Sequence, residues 1–116
     1  TRLAAPLAVD SRFLNPQRLE LRLRELVRQY PNLATLHQIG QSFEGRPIYA
    51  LEVTAPTPQL KPAVLIDGLH HAREVMTPEI SVDLAESLLR LATSRSSAPR
   101  YRKAAQTLLS RVRLFT

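Results

Sequence analysis

Cysteine is absent from the 116 residues of this sequence. The chain therefore has no disulfide bonds, no thiolate metal sites and no cysteine nucleophile, and any metal must be bound by His, Asp or Glu.

Long apolar runs are absent too. The longest runs, such as Ala63–Ile66, fall far short of the roughly 20 apolar residues that a membrane-spanning helix needs. No internal period indicates a repeat architecture. We expect a folded, soluble domain with no membrane partner.

Acidic residues are in the minority, with 10 Asp and Glu against 16 Lys and Arg, which gives a formal net charge of +6. An excess of positive charge ordinarily suggests binding to nucleic acid or to an acidic surface. Arginine supplies nearly all of it, along the first predicted helix and in the C-terminal third. We interpret these arginines as solvated helix faces and expect no nucleic-acid partner.

The length of the chain limits the number of domains, and its N-terminus bears on the cellular location. With 44% hydrophobic residues, the chain suffices for one modest domain, although a domain of this size buries only about two-thirds of its unfolded surface. Residues 1–9 are mildly apolar but have no start methionine, no charged n-region and no proper h-region, so they are interpreted as a mature or trimmed end. We expect a secreted or periplasmic protein.

The first half of the chain predicts a helix followed by a β-hairpin. A helix is predicted over 16–29, with Asn15 as its N-cap, because a proline opens it and apolar residues recur at helical spacing. Residues 33–39 and 48–53 have the composition of strands. The connection between them, 40–46, contains two glycines, so we expect the two strands to pair as a hairpin.

The second half alternates strands with helices. The continuous apolar run at 63–66 predicts a strand buried on both faces. Thr77 is the predicted N-cap of a helix over 78–92, and a third helix is predicted over 101–109. A final strand begins near 112–115, where we expect an unprotected sheet edge. The pattern predicts an α/β fold with a mixed β-sheet sandwiched by helices.

The segment 67–74 carries the candidate chemistry, and it reads Asp-Gly-Leu-His-His-Ala-Arg-Glu. It follows a predicted strand at its carboxyl end, which is where ligands bind in open α/β sheets. Zinc accepts imidazole nitrogen and carboxylate oxygen, so His71 and Glu74 on one turn suit two of its ligands. The spacing H-x-x-E alone is weak, because a surface histidine near a helix-entry glutamate is common.

A second tract strengthens the interpretation. Residues 39–48 read I-G-Q-S-F-E-G-R-P-I and precede the histidine loop. Together the two tracts resemble the zinc carboxypeptidase family, in which a segment like I-G-x-S-x-E-G-R-P-I leads to a G-x-H-x-R-E loop. The resemblance is strong over 36–78 and looser over the whole chain. It implies the N-terminal portion of a zinc carboxypeptidase-like (phosphorylase/hydrolase-like) fold, with residues 1–116 forming part of a single peptidase catalytic domain.

The resemblance also implies roles for individual residues. Counting back three positions from Glu74 selects His71 as the second Zn²⁺ ligand and leaves His70 as a neighbour that packs or forms a hydrogen bond. Arg73 is expected to contact the peptide or protein substrate, and a structural salt bridge is the alternative. Asp67 either accepts a hydrogen bond from a ligand imidazole or caps the turn.

The remaining motifs are assigned structural roles or are excluded. Val75 follows Glu74 where an H-x-x-E-H peptidase would need histidine, so that class is excluded. His37 is predicted to be structural, and residues 44–46 are predicted to form the hairpin turn.

By resemblance, the activity is hydrolysis of a C-terminal peptide bond by a zinc metallocarboxypeptidase. The third ligand, a general-base glutamate and the groups that hold the substrate carboxylate come later in the family's chains, so no catalytic residue is assigned here. The chain is interpreted as a fragment or a nicked half, inactive alone, whose partner is the remaining C-terminal part of the domain. Two alternatives stay open: a non-catalytic binding module, and a relative that hydrolyses amino-acid conjugates or cell-wall peptides.

Overall fold

The computed structural model describes residues 12–116, and its first element is helix α1, Pro16–Gln29. The side chain of Asn15 accepts a hydrogen bond of 2.8 Å from the backbone N–H of Arg18, as an N-cap residue should. Leu23 and Leu26 are the buried residues of α1. The predicted helix and its cap are both confirmed.

The predicted hairpin follows α1. Strand β1, Ala34–Gln41, pairs antiparallel with strand β2, Pro47–Val53. Gly45 lies in the turn with a φ of 78°, a left-handed conformation that glycine adopts without steric penalty. The turn is the role predicted for residues 44–46, and the structure confirms it.

Two short strands complete a mixed sheet. Strand β3 is Ala63–Leu65 and strand β4 is Arg113–Phe115. The order in the sheet is β1-β2-β4-β3, in which β4 is antiparallel to β2 and parallel to β3. The prediction that the last strand forms an unprotected edge is wrong. The two helices after β3 return the chain to the sheet between β2 and β3, so β4 has a neighbour on each side.

Strand β3 differs from its prediction as well. It was expected to be buried on both faces, yet all three of its residues are exposed, with Val64 at 43% and Leu65 at 63%. Its position explains the exposure: β3 pairs with β4 alone and lies at the edge of the sheet within the described part of the chain. A continuous apolar run predicts a strand but does not determine which elements cover it.

Two helices link β3 to β4. Helix α2 is Thr77–Thr93, close to its predicted span, and helix α3 is Pro99–Arg111, two residues longer at each end than predicted. Arg22 and Glu86 form an ion pair between α1 and α2. No helix within residues 12–116 is both long and apolar enough to cross a membrane.

Thr77 does not cap α2 as predicted. The helix begins at Thr77 itself, and Met76 occupies the N-cap position without a side-chain hydrogen bond. The Thr77 hydroxyl is engaged instead by the preceding loop. Sequence spacing does not determine whether the threonine hydroxyl bonds to the loop or to the helix end.

The core lies between the three helices and one face of the sheet. Residues from the helices form one buried cluster with residues of β1, β2 and β4. The helix residues are Leu23, Leu26, Val82, Ala85, Leu89, Ala92, Ala105 and Leu109, and the strand residues are Ala34, Leu51, Val53 and Leu114. Because strand side chains alternate between faces, Glu52 points to the opposite face from Leu51 and Val53. The mixed sheet with helices confirms the predicted α/β class.

Candidate metal site

The loop between β3 and α2 holds the predicted ligands on a single turn. The backbone N–H of Glu74 donates a hydrogen bond of 2.9 Å to the carbonyl oxygen of His71. The Glu74 carboxylate in turn accepts a hydrogen bond of 3.4 Å from the backbone N–H of His71. The two residues are therefore neighbours in space as well as in sequence, at the carboxyl end of β3.

The donor types of this pair fit zinc. An imidazole nitrogen and a carboxylate oxygen are both ordinary zinc ligands. His71 is exposed and Glu74 is half-buried, so both side chains can be reached from solvent. No group of three or more His, Cys, Asp or Glu side chains that could hold a metal occurs within residues 12–116. His71 and Glu74, if both are ligands, would supply two of the three protein ligands that a catalytic zinc site usually takes.

His70, next to this pair in sequence, contacts Asp67. The ring Nε2 of His70 lies 3.1 Å from Oδ2 of Asp67, and both side chains are well exposed. Asp67 was expected either to support a ligand imidazole or to cap the turn. The structure pairs its carboxylate with His70, the neighbour for which packing or a hydrogen bond is predicted.

Arg73 lies between the predicted ligands in sequence and is exposed. Within residues 12–116, its guanidinium makes no hydrogen bond or ion pair. The structural salt bridge weighed as an alternative therefore has no partner in the described part of the chain. A guanidinium in this position can donate hydrogen bonds to a carboxylate or a carbonyl group of a ligand.

The backbone of the loop is under steric constraint at Leu69, whose φ is 58°. A left-handed conformation costs a residue with a Cβ about 1–2 kcal/mol. The G-x-H pattern of the resembling family, aligned on His71, puts its glycine at position 69. Here the glycine stands one position earlier, as Gly68. A Cβ added to Gly68 would lie 2.8 Å from Cβ of Thr77, so Gly68 is required for close approach to α2.

His37 is structural, as predicted, and it belongs to a polar cluster that the sequence did not indicate. Its Nε2 lies 2.9 Å from Oε1 of buried Glu52, and Nε of Arg113 donates a hydrogen bond of 2.5 Å to Oε2 of the same carboxylate. Burial raises the pKa of Glu52, but the hydrogen bonds from Arg113 and His37 outweigh it, and the net pKa is lowered. The cluster joins β1, β2 and β4.

A groove of about 880 Å³ runs beside the loop, between α1, the hairpin and α2. Its walls include Leu19, Tyr49 and Leu69, and Asp67 and His70 lie at the loop side. His71, Arg73 and Glu74 are not among its lining residues. The predicted ligand pair therefore does not line this groove.

Comparison with known proteins identifies the class. A family model described as zinc carboxypeptidase matches residues 19–114. The chain belongs to the zinc carboxypeptidase family, which places it among zinc-dependent metalloproteases, a group of hydrolases. The predicted family is confirmed.

Individual relatives agree. Carboxypeptidase E of Caenorhabditis elegans is 36% identical over 77 residues, which covers 64% of this chain and 16% of the relative. Carboxypeptidase A1 of Bos taurus is 41% identical over 61 residues, which covers 53% of this chain and 14% of the relative. The chain thus spans only about one-seventh of the length of these curated relatives.

Solved structures show the same fold. Carboxypeptidase A from Helicoverpa armigera superposes with a TM-score of 0.70 at 25% identity, over 89% of this chain and 23% of that one. Thrombin activatable fibrinolysis inhibitor superposes with a TM-score of 0.73 at 21% identity, over 89% of this chain and 24% of that one. The chain therefore has the fold of one part of a carboxypeptidase domain.

Proposed function

We propose that this chain belongs to a zinc metallocarboxypeptidase that hydrolyses C-terminal peptide bonds, and that residues 1–116 form the N-terminal part of its single catalytic domain. The observation that carries the proposal is the turn that joins His71 to Glu74 at the carboxyl end of β3. Family membership supplies the chemistry that such a turn would serve.

In this proposal His71 binds Zn²⁺ through a ring nitrogen and Glu74 binds it through its carboxylate. Zinc in such a site polarises a carbonyl group and lowers the pKa of a water molecule. Arg73, exposed on the same turn, donates hydrogen bonds to the peptide or protein substrate and orients it. In this proposal His71, and not His70, is the ligand, because the family pattern places the histidine three positions before Glu74.

The rest of the catalytic domain supplies what this part lacks. We assign to it the third zinc ligand, the general base and the groups that hold the substrate's terminal carboxylate. A secreted or periplasmic location is part of the same proposal, and cell fractionation of the source organism would test it.

The decisive experiment replaces His71 by alanine in the full-length protein. We expect zinc content to fall well below one ion per molecule, because a catalytic site with two protein ligands binds weakly. Elemental analysis after dialysis, with X-ray absorption at the zinc edge, measures both content and coordination.

His70→Ala is the matched control, since it removes the adjacent imidazole and should leave zinc content near the wild-type value. Unchanged zinc content and coordination in His71→Ala would refute the ligand assignment.

A further inference from the structure

The hydroxyl of Thr77 ties together the two ends of the loop that carries the predicted ligands. Its Oγ1 accepts a hydrogen bond of 2.7 Å from the backbone N–H of Leu69. The same hydroxyl donates a hydrogen bond of 2.8 Å to the carbonyl oxygen of Glu74. His71 lies between these two anchor points. One side chain, placed at the start of a rigid helix, therefore fixes residues on both sides of it.

The loop needs this support because its backbone is not in a relaxed conformation. Leu69 has a φ of 58°, which is sterically disfavoured for leucine, and its side chain is 45% exposed, so core packing does little to hold it. The hydrogen bond from the Leu69 N–H to the Thr77 hydroxyl opposes a change of the Leu69 backbone to a more favourable conformation. Gly68 packs directly against the Thr77 side chain and allows the approach.

The Thr77 hydroxyl serves the loop and not α2. A threonine at the N-cap accepts a hydrogen bond from a backbone N–H of the first turn, but here Met76 occupies the N-cap and Thr77 is the first helical residue. Helix α2 instead begins without a side-chain cap, and both hydrogen bonds of the Thr77 hydroxyl go to the preceding loop. The arrangement favours the geometry of the loop over that of the helix end.

We propose that Thr77 is a positioning residue whose hydroxyl holds the 69–74 loop so that His71 and Glu74 are presented together to zinc. This inference rests on the proposed ligand pair. Thr77 itself binds neither metal nor substrate in this account, and it acts through the backbone of Leu69 and Glu74.

The test compares Thr77→Val with Thr77→Ser in the full-length protein. Valine keeps the shape of threonine and removes the hydroxyl, whereas serine keeps the hydroxyl. Zinc affinity, measured by competition with a chelator, should fall about 10–100-fold in Thr77→Val, as when other groups that orient metal ligands are lost. It should stay close to wild type in Thr77→Ser. Amide hydrogen exchange at Leu69 in the metal-free protein should become faster in the valine variant alone.

Thr93→Val is the matched control. Thr93 lies in the same helix, and its hydroxyl also donates to a backbone carbonyl, that of Leu89, at 2.7 Å. Its loss should lower stability to a similar degree while zinc affinity stays unchanged. Gly68→Ala provides a second variant if Thr77→Val folds poorly, because the added Cβ pushes the loop away from Thr77 while the hydroxyl remains. Zinc affinity should fall in this variant too.

Two outcomes separate this inference from the proposed function. Loss of zinc in His71→Ala, with wild-type affinity in Thr77→Val, would overturn the role of Thr77 and leave the ligand pair intact. Retention of zinc in His71→Ala would overturn the ligand pair and, with it, this inference.

Discussion

Arg73 is the residue proposed to contact the substrate. Its side chain is exposed and has no partner within residues 12–116, so it is available for a ligand. We expect Arg73→Ala in the full-length protein to lower kcat/KM for peptide substrates about 10–100-fold, the effect of losing a charge-assisted hydrogen bond. Zinc content should not change, because the arginine is not a ligand. Steady-state kinetics and elemental analysis of the same preparation measure both quantities.

Arg46→Ala is the control for Arg73. Arg46 is also an exposed arginine, and it pairs with Glu44 in the hairpin turn at 3.3 Å. Its replacement should leave kcat/KM unchanged. If Arg73→Ala kept full activity but unfolded at a lower temperature, Arg73 would have a structural role instead.

At the scale of single residues, the sequence predicted contacts between residues that are only a few positions apart. His71 and Glu74 are three positions apart, a separation that a single turn spans, and the structure joins them by a backbone hydrogen bond. The contact of Thr77 with Leu69 and the pairing of Asp67 with His70 were not predictable, because each depends on side-chain directions within an irregular loop. Glu52 gave no signal at all, since its partners His37 and Arg113 are distant in sequence.

At the scale of elements, the Glu52 cluster is the main polar contact between strands. The carboxylate of Glu52 is buried and accepts hydrogen bonds from β1 and β4. We expect Glu52→Gln to lower the free energy of unfolding at pH 7 by about 1–3 kcal/mol, because Arg113 loses its charged partner. Urea denaturation followed by circular dichroism measures the change. Glu44→Gln is the control, since Glu44 is exposed and its ion pair with Arg46 should contribute almost nothing.

The lowered pKa of Glu52 also predicts how its contribution to stability changes with pH. The pKa of Glu52 is lowered in the folded state from an ordinary value of 4.5. Its contribution is therefore fully present above about pH 4.5 and is lost as the pH falls through the lower folded pKa. The difference between wild type and Glu52→Gln should shrink as the pH falls below about 4.5. A difference that grew over this acidic range would contradict the assignment.

Elements with strong local signals were predicted well, and sheet order was not. Asn15 and the apolar spacing defined α1, and the glycines at 40 and 45 defined the hairpin. The prediction that β3 is buried on both faces was wrong, and so was the prediction that β4 lies at the edge of the sheet. These properties depend on where α2 and α3 return the chain, and no pattern within a strand specifies its neighbours.

At the scale of the whole molecule, the isolated segment should be incomplete in function. We expect residues 1–116, expressed alone, to bind zinc more weakly than the full-length protein and to show no hydrolysis of a C-terminal chromogenic peptide. They supply two proposed ligands and no assigned general base. The segment should also self-associate, because β3 leaves an exposed edge with Val64 and Leu65 accessible.

Zinc titration, a hydrolysis assay and analytical ultracentrifugation of the segment test this prediction. Addition of the separately produced downstream region should restore hydrolysis. Robust hydrolysis by the segment alone would show that its function does not depend on the rest of the domain.

The position of β4 also affects the order in which the chain can fold. The hairpin of β1 and β2 forms from residues close in sequence, and such contacts form early. Strand β3 has β4 as its partner in the described chain, about 50 residues further on, so it joins the sheet only after α2 and α3 have been made. During synthesis, the loop that carries His71 and Glu74 therefore leaves the ribosome well before its supporting strand can be anchored. Until then, metal capture at this turn would have to proceed without a sheet beneath it.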